Sequence, residues 1–329
     1  MSDARTFLIY VENARDAEPV HRIDVASIRE SANQISPWID VVEAKTDAPN
    51  IQSLEKATFF IGGQIDKERL KRHAKQLAIV HSLNAGVEKL MPLDWLLDSA
   101  VLTNSRGIHG TRAGEFSMTA LLMLNNRAPH YASLQRDRSW QRTFCDPIRG
   151  KVVMIFGVGS LGGAAAEAAK RIGLQVWGVR RDGAPHPAVD RMYTPADFRG
   201  ALTEVDFLLL SCPLTPETRR VIGALELGRL RPGAGLVNIS RGDVIDEDAL
   251  VDSLRRGHLS GAVLDVFQRE PLPADSELWD VPNLTIFPHV SSDSSVGYTA
   301  ASSAIFLENV ARWLGGQPLR NVVSPSRGY

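Results

Sequence analysis

Cysteine is scarce in this chain of 329 residues: there are two, Cys145 and Cys212, far apart and in no metal-ligand spacing. That excludes a disulfide framework and a cysteine-based zinc site, so no metal is expected and a reducing cytoplasm suits the protein. Neither sign of charge is in excess, with 37 Lys and Arg against 38 Asp and Glu, and nothing recommends nucleic acid or an anionic membrane as a partner. The opening residues, Met1-Ser-Asp-Ala-Arg-Thr6, lack the apolar core of an export signal, and no uninterrupted apolar run is long enough to cross a bilayer. Internal repeats and low-complexity tracts are missing as well. A globular chain that binds a small molecule is the class left standing, and the length favours two α/β lobes over one.

What is present is organised around Lys151-Val-Val-Met-Ile-Phe-Gly-Val-Gly-Ser-Leu-Gly-Gly163. A short apolar run rich in β-branched residues ends at Phe156, Gly157, Gly159 and Gly162 follow as Gly-x-Gly-x-x-Gly, and an Ala-rich helical pattern begins at once. Strand, tight turn and helix in that order suit a dinucleotide. The first glycine allows the turn, the second lets the backbone approach a pyrophosphate, and the third packs helix against strand. Arg180-Arg181 close the next strand, about twenty residues on. Two guanidinium groups there favour a 2′-phosphate, so NADP(H) is expected over NAD(H). Asp182, just beyond, still admits a ribose and hence NAD(H).

Before this unit, Phe7–Val11, 39–43, 58–61 and 77–81 read as strands, separated by helices over 22–34 and from an Asp66 cap to Ala74. Such alternation implies a parallel sheet covered by helices, a small open α/β lobe over residues 1–102. The loop Ser82-Leu-Asn-Ala-Gly-Val87 follows a strand directly, where ligands of open sheets sit, and Gly86 would let N–H groups face an anion. A plain turn is the equal alternative. Asn104–Gly110 reads as the first crossing between lobes, 112–125 as a long helix, and Trp140 and Phe144 as aromatic anchors packing the approach to the nucleotide strand. Residues 103–290 form the dinucleotide lobe, and a helix over 299–313, within 291–329, returns to the first lobe.

In the second lobe several polar residues stand at or just past strand ends: Arg241 after 235–240, Asp265 near the end of 260–267 with Glu270 a few residues later, and His289 after 284–287. Each suits hydride transfer to a 2-keto acid. Arg241 would hold the substrate carboxylate and polarise its carbonyl, and His289 would protonate the oxygen. Glu270 would keep that histidine in its charged form for reduction.

The blocks Gly157-Val-Gly-Ser-Leu-Gly162, Cys212-Pro-Leu-Thr-Pro-Glu-Thr218, Asn238-Ile-Ser-Arg-Gly242, Leu264-Asp-Val-Phe-Gln-Arg-Glu-Pro271 and Pro288-His289 resemble the D-isomer-specific 2-hydroxyacid dehydrogenase family in order and spacing over residues 100–290. The resemblance implies a Rossmann-type domain inserted into a flavodoxin-like α/β catalytic domain, in a homodimer, with the active site in the cleft between domains. It implies Arg241, Glu270 and His289 as catalytic residues, Ala85 and Gly86 with Arg241 for the substrate, and Asp265 near the nicotinamide. Cofactor contacts follow at Gly157, Gly159, Ser160, Leu161, Gly162, Arg180, Arg181, Cys212, Pro213, Thr218, Ile239 and Ser240. Arg180 resembles the NADP-preferring glyoxylate and hydroxypyruvate reductases, Glu270 argues against a formate dehydrogenase, and the small Ser292 disfavours a lactate enzyme. Departures at Asn84, Glu88 and Gly114-Glu115-Phe116 bear on the shape of the pocket. A dehydrogenase of larger keto acids, or a dinucleotide-sensing module like the corepressors of this fold, are the alternatives. Turnover separates the last from an enzyme.

Overall fold

The computed structural model describes residues 6–294, 296–326 and 328; the N-terminal stretch 1–5 read above lies outside them. Contacts divide the chain into two compact units, one running up to Ile108 and resuming at Ser294, the other spanning His109–Asp293.

The first unit is a five-stranded parallel sheet ordered β2-β1-β3-β4-β5, from β1 (Phe7–Asn13), β2 (Ile39–Lys45), β3 (Phe59–Gly62), β4 (Ile79–Ser82) and β5 (Val101–Asn104). Its central strands are apolar on both faces because helices cover both. Tyr10, Phe60, Val80 and Leu102 point one way, onto Leu54 of α2 (Ile51–Leu54), Leu70 of α3 (Lys67–His73) and Trp95. Their neighbours Ile9, Phe59, Ile61 and Ile79 point the other way, onto Ile28 of α1 (Val25–Ile35) and Phe306 and Val310 of α9 (Tyr298–Leu314). The first helix begins three residues later than its apolar pattern suggests. Asn13 pins Ile23 in extended form, accepting from Ile23 N at 2.8 Å and donating to Ile23 O at 3.1 Å, and the Asp24 carboxylate then caps Ala26 and Ser27.

The second unit is a seven-stranded parallel sheet, ordered β12-β11-β10-β9-β6-β7-β8. Its strands are β6 (Val152–Phe156), β7 (Gln175–Val179), β8 (Arg191–Tyr193), β9 (Phe207–Leu210), β10 (Gly235–Asn238), β11 (Gly261–Leu264) and β12 (Leu284–Ile286). Buried alanines of α6 (Ser160–Arg171) and the apolar side of α4 (Gly110–Asn125) cover one face; α7 (Ala224–Arg229) and α8 (Glu247–Arg255) cover the other. β8 with three residues, α7 with six, and α5 (Ala128–Arg136), whose exposed side is polar, carry too little pattern to be read from sequence.

The division falls at 108/109 and 293/294 rather than 102/103 and 290/291, for a physical reason at each place. Asn104 N donates to Asn321 O and the Ser105 hydroxyl lies 2.6 Å from that of Ser302, which holds both residues in the first unit. Val290 and Ser291 donate to Asp265, and Ser292 O bonds His109 Nδ1, which keeps those residues in the second. Trp140 and Phe144 are not packed anchors: they stand 93% and 82% exposed on an irregular arm after α5. No described helix is long and apolar enough to cross a membrane.

Candidate active site

The three glycines of the β6–α6 turn differ in what constrains them. Gly157 has φ +104°, and a Cβ there would lie 2.5 Å from Cys212 N; at Gly162 it would lie 2.1 Å from Gly157 O. The chain's own packing therefore requires both. At Gly159 a Cβ would meet nothing within 4 Å, so this glycine keeps open a space that the protein itself does not fill. Gly159 and Ser160 are exposed, and α6 starts there without a side-chain cap. The N–H groups of Ser160, Leu161 and Gly162 are first-turn donors at the positive end of a helix, which is the donor set a pyrophosphate needs. These residues fit a dinucleotide.

At the end of β7, Arg180 Nε pairs with Asp182 Oδ1 at 3.0 Å. The Asp182 carboxyl is held below its usual range by the Ala184 N–H and by the charges of Arg180 and Arg181. The Glu217 carboxyl is also held low, by the Thr215 hydrogen bond first and by the Arg181 charge to a lesser degree. In that loop the Thr218 hydroxyl accepts from Thr215 N at 2.8 Å and donates to Pro213 O at 2.7 Å, so it closes the turn. Cys212 is buried, and burial pushes its thiol up to about 12, which makes it a packing residue and no nucleophile.

Parallel pairing sets the carboxyl ends of β10, β11 and β12 side by side, and the polar residues stand there. Beyond β10, Ile239 and Ser240 are buried; Asn238 Oδ1 accepts the Ser240 hydroxyl at 2.6 Å while its Nδ2 donates to Arg241 O at 3.1 Å. Arg241 Nη1 in turn donates to Ser240 O at 2.7 Å, which fixes the guanidinium against its own turn. Beyond β11, Glu270 Oε1 accepts from Phe267 N at 2.9 Å, and beyond β12, His289 Nδ1 lies 2.7 Å from Glu270 Oε2. Both side chains remain partly open to solvent, at 44% for His289 and 36% for Glu270.

The backbone at His289 is left-handed, φ +56°, a costly conformation for a residue with a Cβ. Asp265 over-determines it. Its carbonyl accepts from His289 N at 2.9 Å, and its carboxylate oxygens accept from Val290 N at 2.8 Å and Ser291 N at 3.0 Å. The family resemblance implies Asp265 near the nicotinamide; in the structure its carboxylate is fully buried and holds the His289 turn. Burial raises the Asp265 carboxyl, against the pull of the Ser291 and Val290 bonds and the nearby His289 charge.

Two contributors escape sequence reading. A Cβ at Gly242 would lie 1.9 Å from Phe267 C, so the turn carrying Arg241 rests directly on the loop carrying Glu270. Glu247, first residue of α8, accepts from Gln268 N at 2.7 Å and anchors the same loop; burial raises its carboxyl. A glycine directly after the arginine is the signal for the first. Glu247 looks like an ordinary first-turn acid.

In the first unit, the loop after β4 has its carbonyls engaged: Tyr298 OH donates to Leu83 O at 2.6 Å, Ser105 N to Asn84 O at 3.5 Å and Asn104 Nδ2 to Ala85 O at 2.7 Å. Among the described residues no acceptor faces the N–H groups of Ala85 and Gly86.

The family described as D-isomer specific 2-hydroxyacid dehydrogenase, NAD binding domain, matches residues 118–291. Glyoxylate/hydroxypyruvate reductase B of Pectobacterium carotovorum is 32% identical over 276 residues, covering 80% of this chain and 84% of that one. A D-isomer specific 2-hydroxyacid dehydrogenase of Xanthobacter autotrophicus Py2, solved with NADPH and MES, superposes with a TM-score of 0.83 at 28% identity, over 99% of this chain and all of that one. An NADPH-dependent glyoxylate/hydroxypyruvate reductase of Sinorhizobium meliloti, solved with NADP and sulfate, gives 0.79 at 27% identity over 98% of this chain and all of the other. The glycine turn, the strand-end residues and these matches together place the chain in the D-isomer-specific 2-hydroxyacid dehydrogenase family.

Proposed function

We propose that the protein reduces small 2-keto acids of the glyoxylate or hydroxypyruvate type to D-2-hydroxy acids, with NADPH as preferred cofactor and NADH as a poorer one. The observation that carries this reading is the Glu270–His289 pair, 2.7 Å apart on the strand ends next to Arg241. The reduced nicotinamide, when bound, supplies the hydride. Arg241 polarises the substrate carbonyl with a charge that stays fixed while negative charge develops on the oxygen. Glu270 occupies His289 Nδ1, which leaves Nε2 as the nitrogen that delivers the proton to that oxygen; in oxidation the same nitrogen takes it back. Amides of Ala85 and Gly86 bind the substrate carboxylate.

The space above Gly159 and the amides of Ser160, Leu161 and Gly162 would hold the pyrophosphate. Arg180 and Arg181 would hold the 2′-phosphate, with Cys212, Pro213, Thr218, Ile239 and Ser240 lining the dinucleotide's path. The NADPH and NADP bound by the Xanthobacter and Sinorhizobium relatives support that choice, and Asp182 beside Arg180 gives NADH a ribose acceptor. Family membership supports a homodimer as well. The exposed Trp140 and Phe144 are the apolar surface such a partner would cover, so Trp140→Ser with Phe144→Ser should convert the dimer to monomer in light scattering.

Initial rates of reduced-cofactor loss with glyoxylate, hydroxypyruvate, pyruvate and phenylpyruvate, each with NADPH and NADH, test the reading. Highest kcat/KM for glyoxylate and hydroxypyruvate with NADPH supports it. Preference for phenylpyruvate would move the protein to a larger substrate, and tight NADPH binding without turnover would make it a sensor.

A further inference from the structure

The loop between β4 and Val87 has an asymmetry that needs a cause. Its carbonyls from Leu83 to Ala85 are each held by another part of the first unit, while the amides of Ala85 and Gly86 are left without acceptors among the described residues. In a trans peptide the carbonyl and the following N–H point in opposite directions. Whatever holds the Ala85 carbonyl therefore aims the Gly86 N–H.

We infer that Asn104, seconded by Tyr298, is a positioning residue that turns the Ala85–Gly86 amides outward as a preformed receptor for the substrate carboxylate. Asn104 is 2% exposed and is itself fixed: Oδ1 accepts from Arg106 N at 3.3 Å, its N–H donates to Asn321 O, and its carbonyl accepts from Asn321 Nδ2 at 3.1 Å. Its Nδ2 then reaches Ala85 O at 2.7 Å from a rigid base. Tyr298, the first residue of α9, holds the root of the loop through Leu83 O, and its ring packs edge-on against His21 at 5.4 Å. Asn84 completes the brace, its Nδ2 donating to Gly63 O at 3.0 Å. A receptor already oriented loses little entropy when the anion arrives, so its value lies in substrate affinity.

This inference rests on the reading that these amides bind carboxylate, and the experiment separates the two. Asn104→Asp keeps the shape and removes the donor, facing the Ala85 carbonyl with a carboxylate; Tyr298→Phe removes one hydroxyl. KM for glyoxylate and Ki for oxalate, an unreducible carboxylate probe, should rise together by about tenfold in the first and several-fold in the second, with kcat and the NADPH Kd within about twofold. Gly86→Pro deletes the N–H itself. If that variant, folded by circular dichroism, leaves KM and Ki unchanged, the carboxylate reading fails and the inference with it. If Gly86→Pro raises both values while Asn104→Asp and Tyr298→Phe leave them unchanged, the positioning inference alone is overturned. A fall in kcat with KM unmoved in either variant also overturns it.

Discussion

Replacing Glu270 by glutamine tests the acid/base pair with almost no change of shape. The new amide is not free to choose its orientation. Phe267 N–H, 2.9 Å from Glu270 Oε1, requires an oxygen there, so the amide NH2 must face His289 Nδ1. That makes Nδ1 the acceptor and leaves the proton on Nε2, the wrong tautomer for taking a proton from a hydroxy acid. Restoring the working tautomer sets two donors against each other, a penalty of about 1–3 kcal/mol, and the charge assistance of the carboxylate is lost as well. Since His289 and Glu270 are 44% and 36% exposed, water relieves part of this, and a total near 2–3 kcal/mol is the reasonable figure, about 30- to 150-fold in rate. Stopped-flow rates in both directions should fall by that factor, the NADPH Kd measured by fluorescence should not move, and the oxidative direction should suffer at least as much as the reductive. A Glu270→Gln enzyme within threefold of the unaltered rate refutes the pairing argument.

Gly159→Ala should fold with stability within about 1 kcal/mol of the parent yet bind NADPH at least tenfold more weakly, whereas Gly162→Ala should lose about 1–3 kcal/mol or more, since its Cβ meets Gly157 O at 2.1 Å; titration and denaturant melts read the two. Arg180→Ala with Arg181→Ala should raise the NADPH Kd about 10- to 100-fold and the NADH Kd less than about threefold, and equal losses would remove the 2′-phosphate argument. His81 is fully buried, hydrogen-bonded to the hydroxyls of Thr103 and Ser302, and burial lowers it to about 3 from 6.5. The unfolded chain therefore binds this proton below pH 6.5 and the folded chain does not. Stability is full above 6.5 and is lost as pH falls toward 3, by about 2 kcal/mol at pH 5 from 1.5 units at 1.36 kcal/mol each. His81→Gln should flatten that acid limb in urea melts at pH 7 and 5, and an unchanged slope contradicts the assignment.

The fold was legible wherever a pattern was local. Alternating strands and helices announced two parallel sheets, and three glycines announced the β6–α6 turn, because period and backbone freedom are written in adjacent residues. Arg241, Glu270 and His289 were legible because each follows its own strand, and parallel pairing brings strand ends together whatever lies between. What stayed hidden depends on long-range contact. The resemblance gives Asp265 a place near the nicotinamide, while its bonds to the Val290 and Ser291 amides join residues that only the folded chain brings near. Gly242 has no turn to explain it until Phe267 is seen against it, and Asn104 gains meaning only when Ala85 is found 2.7 Å away. Trp140 and Phe144 misled for the opposite reason, since large aromatics in a polar stretch look like core and here lie on the surface.

One measurement tests the strand-end chemistry most directly: the single-turnover rate of NADPH oxidation by glyoxylate with excess enzyme, for the parent and for His289→Gln. The variant should react at least about 100-fold more slowly, with NADPH Kd unchanged. Equal rates would mean that His289 Nε2 delivers no proton, and the strand-end chemistry proposed for Arg241, Glu270 and His289 would be contradicted.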